Sequence, residues 1–146
     1  MRFQRECVRD LWDELMPLLL ENNLETGSLD QGEFEPMREQ YENIADLGMH
    51  CLFTARENEE LAGYGSYFVN GHLHFPRQKW AVQDALFMRK EHRGIASVRF
   101  LKWSDQELKA LGVTAISRQV NRNTDYSRTL ERLDYQPIEI SYLRRF

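Results

Sequence analysis

Leu86-Phe87-Met88-Arg89-Lys90-Glu91-His92-Arg93-Gly94-Ile95-Ala96-Ser97 passes from an apolar, β-rich run through a charged turn into a helical periodicity. Upstream, Trp80 to Met88 reads as a strand. Downstream, Ile95, Val98, Leu101, Leu108 and Leu111 form the stripe of a long helix that Gly112 ends. A strand that enters a helix through a glycine turn gathers main-chain N–H groups at the positive end of the helix macrodipole, which is a geometry that holds phosphate. Arg93 adds a full positive charge, and Gly94 opens the backbone to an anion with no side chain in the way.

The elements around this turn define a mixed α/β chain. Val8, Leu11, Trp12, Leu15, Leu18 and Leu19 recur at helical spacing, with Pro17 kinking or restarting the helix and Gly27-Ser28 closing it. Phe34 to Leu47 reads as a second helix, with Met37, Tyr41, Ile44 and Leu47 on one face, Pro36 in its first turn and Gly48 as its cap. His50–Ala55 and Leu61–Val69 flank the polar turn Arg56 to Glu60, an antiparallel hairpin, and Asn70-Gly71 marks a further turn. Val113 to Val120 reads as a strand, Asn123 to Leu133 as a short helix, and Ile138 to Leu143 as a last strand after Pro137. One sheet with helices is the arrangement this order implies. No repeat, linker or low-complexity run divides residues 1–146, which read as a single domain.

The 146 residues are 42% hydrophobic and 29% charged, enough for a real core. The longest apolar stretch, Leu15 to Leu20, is too short to span a bilayer, and no secretory signal is evident, so a cytoplasmic protein is expected. Cys7 and Cys51 stand alone, without the spacing of a zinc or redox site; no metal is expected, and both read as reduced thiols. The formal charge of −4 hides an asymmetry: residues 1–88 carry 7 Lys/Arg against 16 Asp/Glu, and residues 89–146 carry 12 against 7. The second part suits an anion. Between Glu21 and Asp46 eight carboxylates face one base, Arg38, which reads first as a solvated helix and second as a slight preference for a cationic partner. The scattered basic residues argue against nucleic acid as a partner.

From Leu86-Phe87-Met88 through Glu91-His92-Arg93-Gly94 and Arg99-Phe100-Leu101, the chain resembles the GNAT superfamily of N-acetyltransferases. The likeness continues through Ala110-Leu111-Gly112-Val113, Asn123 and Leu133-Asp134-Tyr135, which looks like the family's Leu-Gly-Phe. It covers residues 50–146, with residues 1–49 in the place of the family's variable substrate-side helices. The resemblance implies one mixed, mostly antiparallel sheet with helices on both faces and splayed central strands holding coenzyme A. It implies acetyl-CoA as co-substrate and a primary amine, on a small molecule or a protein, as acceptor. Leu86, Phe87, Met88, Arg93, Gly94, Ile95, Ala96, Ser97 and Asn123 then fall at cofactor-binding positions. The family turn has Arg or Gln, two residues, Gly, one residue, then Gly or Ala. Here a Gly94-Ile95-Ala96 register puts Glu91 where a cation is expected, whereas aligning Arg93 leaves Ala96 and Val98 at the later small positions unless one residue is deleted and Ser97 takes the glycine's place, so the register stays open by one residue.

Transfer to an amine needs a base for its proton and an acid for the departing thiolate. Asp84 stands where the family often places its base. Read alone, Asp84 alternates with Trp80, Val82, Leu86 and Met88 on one strand face, where a carboxylate loses solvent and gains basicity, or else it sits at a bulge or edge beside a surface base. The family's usual acid is a tyrosine at the position that holds Leu130, so Tyr126, one turn earlier, takes that part, with Tyr135 as the other phenol in reach. His72 and His74 read as a solvated hairpin before they read as an acceptor wall. Trp103 and Tyr142 belong to the core by preference, or to the face of a homodimer. The alternative to an enzyme is a CoA-binding or protein-interaction module that has kept the fold without turnover.

Overall fold

The computed structural model describes residues 1–27, 32–144 and 146. Its elements are β1 (Arg2–Glu6), α1 (Val8–Thr26), α2 (Arg38–Asp46), β2 (His50–Glu57), β3 (Glu60–His72), β4 (Phe75–Met88), a 3-10 turn (Lys90–His92), α3 (Ile95–Ala110), β5 (Ala115–Ser117) and α4 (Ser127–Glu131). The strands form one sheet in the order β1-β2-β3-β4-β5, antiparallel throughout except for the parallel pair β4–β5. The α/β architecture with one mixed, mostly antiparallel sheet is therefore present.

Each face of the sheet has its own core. Val8, Leu11, Trp12, Leu15, Leu18 and Leu19 of α1 pack on Leu52, Leu61, Tyr64 and Phe87. Phe100 and Leu108 of α3 pack on Phe53, Ala55, Tyr67, Ala81 and Met88 on the other side, where Trp103 and Phe3 join them. The i, i+3, i+4 spacing that wrote α1 thus became its buried stripe. Pro17 neither kinks the chain into two helices nor restarts it: α1 is continuous. Pro17 is exposed, and so is Asp13, whose carbonyl loses its intrahelical donor and is left to water. Gly27 ends α1 in the left-handed conformation, its N–H donating to Asn23 O.

Several boundaries differ from those the pattern implied. The second helix begins at Arg38, not Phe34; Pro36 lies ahead of it, and Met37 and Leu47, expected on its apolar face, are 64% and 74% exposed. Gly48 does close it, with φ 69° and its N–H on Ala45 O. The hairpin turn narrows to Asn58-Glu59, both at positive φ, the twist that matches paired strands. Asn70-Gly71 is not a turn: Asn70 pairs with Trp80 and Gly71 with Lys79, and the chain reverses at Leu73-His74. Tilted ring contacts of His72 with Trp80 and Phe75, both at 4.8 Å, reward the longer ladder.

At the C-terminal side the strand expected over 113–120 is only Ala115–Ser117, and the helix expected over 123–133 is only Ser127–Glu131. The last strand, expected over 138–143, does not form. Ile138, Ile140, Tyr142 and Leu143 are 68–92% exposed, so Tyr142 is not a core residue. A three-residue neighbour offers too few ladder bonds to offset the ordering of that segment. The strand β1 was not foreseen; it pairs with β2 from Arg2↔Arg56 to Glu6↔Leu52.

Arg118, just past β5, ties these parts together. Its side chain is fully enclosed and donates to Asp105 (2.5 Å), Tyr67 Oη (2.7 Å), Tyr135 Oη (2.8 Å), Ser104 Oγ (3.1 Å) and Gln83 Oε1 (3.2 Å). Burial works against its charge, but the oxygens of Tyr67 and Tyr135 and the Asp105 carboxylate outweigh it, and its pKa lies above the ordinary arginine value. Removing one partner of a buried ion pair strands the other. Arg118→Ala is therefore expected to cost about 3 kcal/mol or more in urea unfolding. Arg2→Ala, which breaks an exposed pair with Glu59, is expected to cost less than about 1 kcal/mol.

Candidate functional site

Pairing between β4 and β5 spans only Trp80↔Ala115, Ala81↔Ile116 and Val82↔Ser117. Beyond Val82 the two backbones part, and side chains take over: Gln83 Nε2 donates to Gln119 O at 3.1 Å, and the Tyr126 hydroxyl lies 3.1 Å from Gln83 Oε1 and 3.0 Å from Gln119 O. The gap opens into a cleft of about 770 Å³. Its walls are the C-terminal half of α1, residues 32–44, β3 and β4, and residues 119–126.

Asp84 stands in this cleft because of a bulge. Ser66 pairs with Ala85 and Tyr67 with Gln83, which leaves Asp84 as the extra residue of β4. The insertion inverts the alternation: Ala85 and Phe87 turn to the α1 side, Leu86 and Met88 to the α3 side. The expectation that Asp84 shares a face with Leu86 and Met88 is thus corrected. It is also exposed, not desolvated, because the bulge lifts it from the packed surface. One oxygen, Oδ2, accepts from Tyr41 Oη at 2.8 Å and from Ser66 Oγ at 2.9 Å.

Tyr126 caps the start of α4 and lines the same cleft, so the two residues expected to act as base and acid do share one space. Burial raises its pKa, and burial likewise raises those of Tyr41 and Tyr64, so the cleft carries neutral phenols. Tyr135 instead bonds Arg118 and Asp105, and Leu130 is buried. His72 and His74 lie at the hairpin tip, outside the cleft lining. Glu33, Glu35 and Asp84 line the cleft, and no Lys or Arg does so among the described residues.

Of the residues expected to hold a cofactor, Leu86 lines the cleft, while the side chains of Phe87 and Met88 are buried in opposite cores. Gly94 begins α3 at φ 92°, a conformation that favours glycine, and nothing stands within 4 Å of where a Cβ would be. The N–H groups of Ile95, Ala96 and Ser97 in the first turn of α3 have no side-chain cap. Ile95 is 76% exposed and is no part of the α3 stripe. Arg93 is already engaged: Nε donates to Met88 O at 2.7 Å and Nη2 meets Glu25 at 2.6 Å, with Lys90 3.6 Å from the same carboxylate. Asn123 is not in a helix; its Nδ2 donates to Thr26 O at 3.1 Å. The last turn of α1 thus touches both residues. Asp134, where the likeness has glycine, adopts φ 64°.

No family model and no curated protein sequence matches the chain. Solved structures do. A ribosomal-protein-alanine N-acetyltransferase from Brucella melitensis biovar Abortus superposes with TM-score 0.74 at 16% identity, over 100% of both chains. A glucosamine-6-phosphate N-acetyltransferase from Arabidopsis thaliana gives 0.71 at 14%, over 99% of this chain and 97% of that one. An aminoglycoside acetyltransferase from an uncultured soil metagenomic sample, in complex with sisomicin, gives 0.70 at 14%, over 99% and 96%. The fold is that of the GNAT N-acetyltransferases. Within the GNAT fold of this chain, sequence reasoning missed Arg118, Gln83, Tyr41, His50, Ser66 and Glu25. Arg118, a lone cation in a strand-like run, was the one legible signal, since a charge at such a position calls for buried partners.

Raised phenol pKa values make a pH prediction with a definite sign. The unfolded chain ionises its tyrosines near pH 10, whereas Tyr41, Tyr64 and Tyr126 resist ionisation when folded. Their contribution to stability is full below about pH 10 and is lost as pH rises through the raised values. Ultraviolet titration of the native protein is expected to show these phenols ionising late, together with unfolding.

Proposed function

We propose that the protein is an acetyl-CoA-dependent N-acyltransferase that moves an acetyl group to a primary amine within a ternary complex. The observation that carries this reading is the parting of β4 from β5, which sets an exposed carboxylate and a neutral phenol on one cleft. The gap receives the pantetheine arm along Leu86, Phe87 and Met88, the last two offering main chain only. Gly94, Ile95, Ala96 and Ser97 present main-chain donors to the pyrophosphate, Arg93 supplies charge, and Asn123 lies beside the arm. The GNAT fold of three acetyltransferases supports the assignment.

Asp84 takes a proton from the acceptor's ammonium group. The freed nitrogen bonds to the thioester carbonyl carbon, the C–S bond breaks, and Tyr126 protonates the departing sulfur. The nitrogen's next proton restores the phenol. Three carboxylates, with no lining cation among the described residues, favour an acceptor that carries positive charge, and one neighbour was solved with an aminoglycoside. The second reading, a CoA-binding module without turnover, is favoured by one observation: the position of the family's tyrosine is occupied by buried Leu130.

Thiol release from acetyl-CoA over a panel of amines, sisomicin included, decides between them. Turnover that falls about 100-fold in Asp84→Asn supports the enzyme, while tight CoA binding with no release from any amine supports the module. Glu25 competes with the diphosphate for Arg93. By calorimetry, Arg93→Ala is expected to weaken CoA binding about tenfold or more, and Glu25→Gln to tighten it about threefold to tenfold.

A further inference from the structure

His50 and Ser66 lie beneath Asp84, and neither has a part in the transfer proposed above. Both are buried, 7% and 4% exposed, on neighbouring strands β2 and β3. Ser66 Oγ is 2.9 Å from His50 Nε2 and 2.9 Å from Asp84 Oδ2. A serine hydroxyl has one hydrogen, and an ionised carboxylate can only accept. Ser66 must therefore donate to Asp84, and its lone pair must accept from His50 Nε2–H. The direction of the chain is fixed: His50 to Ser66 to Asp84. Tyr41 donates to the same Oδ2 from α2, and its ring meets His50 edge-on at 5.6 Å and stacks on Phe68 at 6.1 Å. Two hydroxyls thus hold Oδ2, while Oδ1 accepts no hydrogen bond among the described residues and Asp84 lines the cleft.

We propose that His50 and Ser66 are positioning residues that orient Asp84 so that its free oxygen, Oδ1, receives the acceptor's proton. This rests on the transferase reading. A bulged aspartate on an exposed surface has several rotamers open to it, and a donor pinned from below selects one. Ser66 can pin only while its own lone pair and hydrogen are both directed, which is what the buried imidazole supplies. The chain therefore acts on orientation and leaves the binding of acetyl-CoA alone.

The test measures thiol release with the best amine of the panel, alongside melting temperature. Ser66→Ala is expected to lower kcat about tenfold with KM for acetyl-CoA unchanged, and Ser66→Thr, which keeps the hydroxyl, to recover most of it. His50→Leu is expected to fall like Ser66→Ala, and His50→Gln, which keeps a side-chain N–H, to fall less. Unchanged kcat in Ser66→Ala, or equal losses in Ala and Thr variants that follow the melting temperature, overturns the proposal. If no amine supports release by the wild type, the transferase reading fails separately. The imidazole NMR spectrum then decides the network: a slowly exchanging Nε2–H resonance that vanishes in Ser66→Ala supports it, and its absence from the wild type overturns it.

Discussion

A single guanidinium sits where two parallel strands part. Arg118 leaves β5 and reaches into the α3-side layer, binding Asp105 and Ser104 of α3, Tyr67 of β3, Gln83 of β4 and Tyr135 beyond α4. It also lies over the rings of Tyr67 and Tyr135, at 5.3 and 5.4 Å. Main-chain pairing would have zipped β4 to β5 further. A buried charge with five acceptors offers the chain a different way to satisfy its polar groups, and the strands separate past Val82 and Ser117. The cleft opens where they part.

Two local features act on that gap. The bulge at Asp84 turns one carboxylate out of the packed surface and, in the same step, sends Leu86 and Met88 to one core and Phe87 to the other. The glycine at the start of α3 opens the helix end at the far side of β4. The two features thus lie apart along one strand, the bulge facing the cleft and the turn at its end.

The two N-terminal helices do more than cover the sheet. The C-terminal turn of α1 places Glu25 on Arg93 and Thr26 on Asn123, so that a carboxylate of the chain pairs with the cation of the turn before α3. Tyr41, from the short helix α2, reaches Asp84. The acidic charge of residues 1–88 is therefore more than a solvated face: part of it meets the basic turn directly, and part lines the cleft.

The periodicities of α1 and α3 were written in the sequence, because burial of one helical face selects apolar residues at fixed spacing whatever lies opposite. The β2–β3 hairpin and the strand entering Arg93-Gly94 were equally legible, since turn chemistry and β-rich runs act locally. That Asp84 and Tyr126 line one cleft could be anticipated from motif and position. What could not be read was where strands stop. Asn70-Gly71 looks like a turn and is a ladder, and 113–120 and 138–143 look like strands of which three residues pair. Those outcomes depend on partners distant in sequence: His72 on Trp80, and Arg118 among groups contributed by four other segments. The bulge at Asp84 belongs to the same class, because register is a property of two strands together. Local chemistry set the elements; only the meeting of buried polar groups across the sheet decided where it opens.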